Sequence, residues 1–231
     1  MHRQVVEQLM ADRSVRRPAA VLTWLASGEQ RVIHWDDIAA MPELGDELAQ
    51  AIRLDRSQTL QGPDGEVFVH VFNPPLQMVV VGAVHTSQFL APMAELADYD
   101  VTIVDPRTAF ASEERFPGVS LVTEWPDQAL PQIGLDARTA FLALTHDPKI
   151  DDPALAYALE SDAFYIGALG SKRTHAKRCD RLTSQGVSEE AIGRIHAPIG
   201  LDIGAVGPVE IAMSIMAEVT AVLRGKSRVR S

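Results

Sequence analysis

From Leu76 onward the apolar positions come in short continuous runs separated by amphipathic stretches. Met78 to Val81 reads as a strand buried on both faces, followed by a helix from Thr86 to about Ala97. Val101 to Val104 is a second strand, Val119 to Val122 a short one, and Ala140 to Leu144 another apolar run. Asp152-Pro153 predicts a helix running to Glu160, with aspartate as cap and proline in the first turn. Phe164 to Leu169 is a strand, after which Gly170-Ser171 opens a long basic helix to about Gln185. Ser188 caps a short helix, and Gly207-Pro208 opens the last one, Val209 to Arg224. Strands that are apolar along their whole length and separated by helices imply a parallel sheet covered on both faces. The expected fold class is α/β, a doubly wound, mainly parallel Rossmann-like sheet over residues 76–231.

Upstream the pattern is different. Met1 to about Ser14 reads as a short amphipathic helix, and Ala19 to Trp24 with Arg31 to Trp35 as a hairpin around Ser27-Gly28-Glu29. Asp36 or Asp37 caps a helical segment reaching roughly Leu54. A second hairpin runs from Gln58 to Gln61, through Gly62-Pro63-Asp64-Gly65, into the alternating strand Val67 to Phe72. Asn73-Pro74-Pro75 then stops regular structure, because proline fixes φ and carries no N–H. Residues 1–73 are therefore expected to form a small α+β N-terminal domain.

Composition narrows the partners. The chain has 231 residues, 46% of them hydrophobic, which is enough for a substantial core. No apolar run approaches the length of a membrane span. A formal charge of −10 excludes nucleic acid, whose phosphates need a basic surface. One cysteine, Cys179, excludes an internal disulfide and a multi-cysteine metal site, so no metal site is expected. His2, Arg3, Glu7, Asp12 and Arg13 occupy the place of a signal peptide's apolar region, and a cytoplasmic protein is expected.

In doubly wound sheets ligands bind outside the carboxyl ends of the strands, and four polar turns lie there. In Gly82-Ala83-Val84-His85-Thr86-Ser87 a tight turn feeds a helix N-terminus, which suits a phosphate. Val84 stands where a dinucleotide fingerprint has its second glycine, so an anion must sit farther out. Asp105-Pro106-Arg107 ends the second strand at the spacing where ribose hydroxyls are bound, and Arg107 and Arg115 offer phosphate partners. Thr145-His146-Asp147 follows the next strand; His146 can contact a ligand, but no partnered nucleophile is visible. Gly167-Ala168-Leu169-Gly170-Ser171-Lys172-Arg173 carries the strongest anion signal. Two cations in a helix's first turn oppose its dipole by roughly 0.3–1 kcal/mol each when exposed, and a bound anion reverses that balance. Lys172, Arg173, Lys177, Arg178 and Arg181 form a basic cluster in an acidic chain. Pro198-Ile199-Gly200-Leu201-Asp202-Ile203-Gly204 brings Asp202 to the same edge, and Asp151 and Asp152 read as helix caps. Cys179 reads as a structural cysteine, although neighbouring cations favour a thiolate of the kind sulfur transfer uses.

Taken in order, these turns resemble the C-terminal Rossmann domain of the XdhC/CoxI family. The residues that carry the resemblance are Gly82-Ala83-x-His85, Asp105-Pro106-Arg107 with Phe110-Ala111 and Arg115-Phe116-Pro117, and Thr145-His146-Asp147. Tyr165 to Ser171 with Lys172-Arg173, Pro198 to Gly204, and Pro208-x-Glu210-Ile211-Ala212-x-Ser214-Ile215 complete the set, which spans about Leu76 to Arg224. The resemblance implies an accessory factor, without catalytic residues, for molybdenum hydroxylases of the xanthine or carbon monoxide dehydrogenase type. Such a factor binds the molybdenum cofactor (molybdopterin or its cytosine dinucleotide), supports its sulfuration and delivers it to the apoenzyme. Gly82, Ala83, His85, Thr86, Asp105, Arg107, Thr145, His146, Asp147, Gly167, Gly170, Ser171, Lys172, Arg173 and Asp202 are its expected cofactor-binding positions. The family pattern has glycine at Val84, and longer members carry Gly-Ser-x-Pro-Arg and Gly-Gly-Cys segments that are missing here. A second XdhC-type protein and a sulfurtransferase are accordingly expected as partners, and a homodimer stays open. An NAD(P)-dependent oxidoreductase is the runner-up, and a non-catalytic interaction protein for dehydrogenase assembly the third reading.

Overall fold

The computed structural model describes residues 2–225, so Met1 of the first expected helix and residues 226–231 of the expected Rossmann domain lie outside the described residues. The chain divides into two compact units, residues 1–74 and 75–231.

The first unit is built on a four-stranded antiparallel sheet of order β2-β1-β4-β3. Its strands are β1 (Ala19–Trp24), β2 (Gln30–Ile33), β3 (Gln58–Gly62) and β4 (Gly65–Phe72), preceded by α1 (Arg3–Ser14). The helix expected from Asp36 to Leu54 is broken into a 3-10 turn, Trp35–Ala40, and α2 (Gly45–Arg53). Pro42 accounts for the break: it has no N–H and forces Met41 out of the helical region. Leu48, Ala51 and Ile52 of α2 pack with Ala20, Leu22, Ile33, Val67 and Val69 of the sheet. Asp12 of α1 and His34 are both buried and joined at 2.9 Å.

The second unit is a six-stranded parallel sheet with helices on both faces. Its elements in chain order are β5 (Leu76–Val81), α3 (His85–Leu96), β6 (Tyr99–Val104), β7 (Ser120–Val122), α4 (Pro126–Ile133) and β8 (Thr139–Ala143). They continue as α5 (Pro148–Glu160), β9 (Tyr165–Ala168), α6 (Lys172–Ser184), α7 (Glu189–Ile192), β10 (Ile195–His196) and α8 (Pro208–Leu223). The order β10-β9-β8-β5-β6-β7 places β5 at the centre, with the sheet growing outward in both directions from the β5–β8 boundary. That is the strand order of dinucleotide-binding sheets, whose ligands lie at this switch point. Side chains of β5 alternate between two cores. Met78 and Val80 pack with Leu90, Ala94, Ile215 and Val219 of α3 and α8, and Val79 and Val81 with Leu130, Leu155 and Leu182 of α4, α5 and α6. A strand with a core on each side has no polar face to expose, which is why its sequence shows no alternation.

Helix α5 begins at Pro148, five residues before the expected start, with Asp147 in place of Asp152 as its cap. Asp147 accepts the Lys149 N–H at 2.9 Å and leaves Asp151 and Asp152 inside the helix, where they do other work. Ser171 and Ser188 cap α6 and α7 as their sequence positions suggest, and Glu210 accepts the Val206 and Gly207 N–H groups before α8. Strand β10 and helix α4 were not anticipated; β10 is two residues long, below what a periodicity can reveal. Among the described residues no helix is long and apolar enough to cross a membrane.

Candidate functional site

The first two turns lock each other. Gly82 has φ +124°, and a Cβ there would stand 3.0 Å from Thr145 Cγ2 and 3.2 Å from Thr145 N. Glycine is needed at this point because the third turn packs against the first. The Ser87 hydroxyl donates to the Gly82 carbonyl at 2.6 Å. Asp105 is fully buried, and its Oδ2 accepts the Ala83 N–H at 2.8 Å and Arg107 Nη2 at 2.8 Å. Its Oδ1 accepts Arg107 N at 3.0 Å and Arg107 Nε at 2.9 Å. Burial alone would raise the Asp105 pKa, but the Arg107 guanidinium and the two backbone donors hold it below the ordinary carboxylate value. Arg107 lies over the Phe110 ring at 4.8 Å. Arg115 donates from Nη1 to the carbonyls of Ala83 (3.0 Å) and Phe110 (2.6 Å), and from Nη2 to Gln88 (3.2 Å). His85 is exposed and stacks on Phe89, with ring centres 5.2 Å apart, while Thr86 is buried.

The third turn is organised by Asp151. Its Oδ1 accepts the Thr145 hydroxyl at 2.6 Å and the Thr145 N–H at 3.2 Å, and its Oδ2 accepts the His146 N–H at 3.1 Å. This grip holds His146 at φ 64° with its side chain outward. Burial drives the Asp151 pKa up, only partly offset by the Thr145 bonds and the charge of Arg178. Asp152 is engaged by Arg181, whose Nη2 donates to Oδ1 at 2.9 Å.

At the fourth turn the two expected anion ligands part company. Lys172 borders a cavity of about 410 Å³ formed with Leu169, the loop from Ala197 to Ala205, and Glu218. Arg173 borders a separate gap of about 280 Å³ with His146, Asp151, Lys177, Arg178 and Arg181. Asp202 shares the cavity of Lys172, and His146 shares the gap of Arg173. Gly82, Ala83, Thr86, Asp105, Thr145 and Gly167 are buried framework. Gly170, at φ +137°, carries the chain from β9 into α6. A Cβ at Gly167 would stand 2.5 Å from Ile199 Cδ1, so β9 needs glycine where the 198–204 loop lies over it.

Glu218 is the main residue that sequence reasoning missed. On α8 it accepts the Tyr165 hydroxyl at 2.6 Å, the Gly200 N–H at 2.8 Å and pairs with His196 Nδ1 at 3.0 Å. Burial would raise its pKa, but these donors hold it below the usual value. The signal in the sequence is a carboxylate among Ala212, Ile215 and Val219, at helical spacing on a face whose other polar residue is the small Ser214. Cys179 is half-buried with Sγ 3.5 Å from His175 Nε2, and burial pushes its thiol pKa up, away from a thiolate.

Gly200 fixes the floor of the larger cavity. It has φ +90°, and a Cβ there would overlap the Ser214 hydroxyl. Gly200→Ala is expected to destabilise this unit by about 2–4 kcal/mol, combining left-handed strain with the overlap. Urea unfolding of the two proteins measures this, and an unchanged midpoint would show that the loop relaxes freely.

A family model described as the XdhC Rossmann domain matches residues 78–219. The chain is 32% identical over 177 residues to the molybdenum cofactor insertion chaperone PaoD of Escherichia coli, covering 77% of this chain and 49% of that protein. It is 30% identical over 154 residues to a probable xanthine dehydrogenase subunit from Bacillus subtilis, covering 66% and 44%. The chain thus spans less than half the length of these curated relatives. A crystal structure from Bacillus halodurans, described as a xanthine dehydrogenase, superposes with a TM-score of 0.66 at 20% identity, over 99% of this chain and 66% of that one. At that identity the likeness is one of fold.

Proposed function

The chain belongs to the XdhC family, and on that premise we propose that it binds the molybdenum cofactor and serves in its sulfuration and insertion into a molybdenum hydroxylase. The cargo is molybdopterin or its cytosine dinucleotide, and the recipient is an apoenzyme of the xanthine or carbon monoxide dehydrogenase type. A sulfurtransferase and a second XdhC-type protein, or a second copy of this chain, are the further partners this role calls on.

One observation carries the reading: the basic start of α6 stands at the carboxyl edge of the sheet with a cavity on either side. The cofactor ends in a phosphate, and its dinucleotide form adds a second phosphate and a ribose. Exposed cations beside cavities of this size suit an anionic cargo held without chemistry. Lys172→Glu combined with Arg173→Glu is expected to weaken molybdopterin binding roughly 100-fold, from two lost charge-assisted contacts at about 1.5 kcal/mol or more each. Both side chains are exposed, so the melting temperature should hold. Fluorescence titration with molybdopterin tests this; equal affinities would remove α6 from the site.

The strand order favours a second reading, an NAD(P)-dependent oxidoreductase. Against it, Asp105 already spends both oxygens on Ala83 and Arg107. Saturable quenching of NADPH fluorescence without molybdopterin binding would promote it. Binding of neither, with co-purification of a molybdenum hydroxylase, would leave an interaction protein.

A further inference from the structure

Arg178 presents a problem that the protein does not solve by itself. Its side chain is 2% exposed, yet it sits in the middle of α6, the most polar helix of the unit. Only Nη2 finds an acceptor, the Leu169 carbonyl at 2.9 Å. Nε and Nη1 are shut away from solvent and have no hydrogen-bond partner. A buried cation with idle donors is costly, and native structures rarely leave one so without a reason.

The nearest carboxylate does not repair this. Asp151 Oδ2 stands 3.8 Å from Arg178 Nη2, beyond hydrogen-bond length. Its oxygens already accept three bonds from Thr145 and His146, and burial favours its neutral form. Asp152 is committed to Arg181. Guanidinium donors are therefore left over where Arg178 borders the 280 Å³ gap.

The rim of the gap brings positive charge to these donors. Arg173 and Lys177 are four residues apart and so share one face of α6, while the charge of Arg181 beside them is already paired with Asp152. His146 projects from the opposite side on its left-handed turn, beside Pro148 at the positive end of α5. At about 30 Å³ for each water in the liquid, the gap has room for a tetrahedral oxyanion and its waters.

We propose that this gap is a phosphoryl-binding subsite, built on the Arg178 guanidinium and rimmed by Arg173, Lys177 and His146. That the phosphoryl group is the terminal phosphate of the molybdenum cofactor rests on the function proposed above; the subsite itself rests on the gap and its idle donors. The larger cavity beside Lys172 and Glu218 is then left for the rest of the cargo.

The test is calorimetric titration of the full chain with inorganic phosphate at constant ionic strength. Wild type is compared with Arg178→Lys and with the rim variant Arg173→Ala/Lys177→Ala. Wild type should bind phosphate saturably and melt at higher temperature in its presence. The rim variant should lose about tenfold in affinity, equivalent to about 1.4 kcal/mol, while its phosphate-free melting temperature stays put. Arg178→Lys, which keeps the charge and removes the guanidinium donors, should lose at least as much. No saturable binding by wild type, or equal affinity in the rim variant, would overturn the subsite; because the rim side chains are exposed, that comparison stands even if Arg178→Lys folds poorly. A parallel titration with molybdopterin separates the two proposals. Phosphate binding as expected with no molybdopterin binding keeps the subsite, as one for free phosphate, and rejects the cofactor reading. Molybdopterin binding that is insensitive to the rim variant keeps the cofactor reading and rejects the subsite as the place of the cofactor's phosphate.

Discussion

Asp105→Ala is expected to cost this protein about 3–5 kcal/mol of stability, the largest loss of any single substitution considered. The carboxylate is fully buried and accepts four hydrogen bonds, one from Ala83 and three from Arg107. Removing it strands the Arg107 guanidinium beside its vacated partner and leaves the Ala83 N–H without an acceptor. Arg107 is 34% exposed and can turn to water, so the cost falls mainly on the Ala83 and Arg107 N–H groups, each of which loses its acceptor at about 1–3 kcal/mol. Asp105→Asn keeps the volume and about half of the acceptors, so its loss should be smaller, roughly 2 kcal/mol. Denaturant unfolding followed by circular dichroism decides it. A variant as stable as wild type that fails to bind the cofactor would return Asp105 to the ligand-contact role its strand-end position suggests.

Glu218→Gln is the second large effect, about 2–3 kcal/mol at neutral pH. Glutamine retains one acceptor oxygen for the Tyr165 hydroxyl, the Gly200 N–H and the neighbourhood of His196, where glutamate has two. The dependence on pH has a definite sign. The folded-state pKa lies below the ordinary 4.5, so the unfolded chain takes up the proton more readily. Stability from Glu218 is therefore fully present above about pH 4.5 and is lost as pH falls through that value towards the folded pKa. The gap between wild type and Glu218→Gln should narrow on acidification from pH 6 to below about 4.5. A gap that stays constant over that range would mean that Glu218 contributes shape and not charge. The same substitution should loosen the Gly200 loop, since its N–H loses a charged acceptor, and so reshape the cavity beside Lys172.

The inner strands β5, β8 and β9 were legible because their central residues are apolar without alternation, and burial on two faces imposes that. Caps at Ser171 and Ser188 were legible because their chemistry is local, side chain to backbone within three residues. Asp147, Asp151 and Asp152 show where local reading stops. Any of the three can cap a helix, and Asp147 does so because Thr145 and His146 require the Asp151 carboxylate and Arg181 takes Asp152. Asp151 reaches back only five and six residues to the turn after β8, but the Arg181–Asp152 contact joins α6 to α5 across 29 residues, beyond any local window.

The site followed the same division. Sequence placed the polar turns at the carboxyl ends of the strands and marked α6 as basic, because strand ends and charge runs are local properties. It treated Lys172 and Arg173 as one anion clamp, whereas consecutive residues on a helix point about 100° apart, and here they border different cavities. It marked Asp105 as a ligand contact by spacing alone, and the packed turn gave both oxygens to Ala83 and Arg107.

What the sequence determined by itself was therefore the class of fold and the family, written in periodicity and in motifs read one turn at a time. What only the tertiary structure decided was the fate of each polar group: that Glu218 anchors a loop, that Asp105 is spent, and that Arg178 has donors left over. Hydrogen-bond satisfaction is settled among residues distant in the chain, and it becomes a definite quantity only once they are packed together.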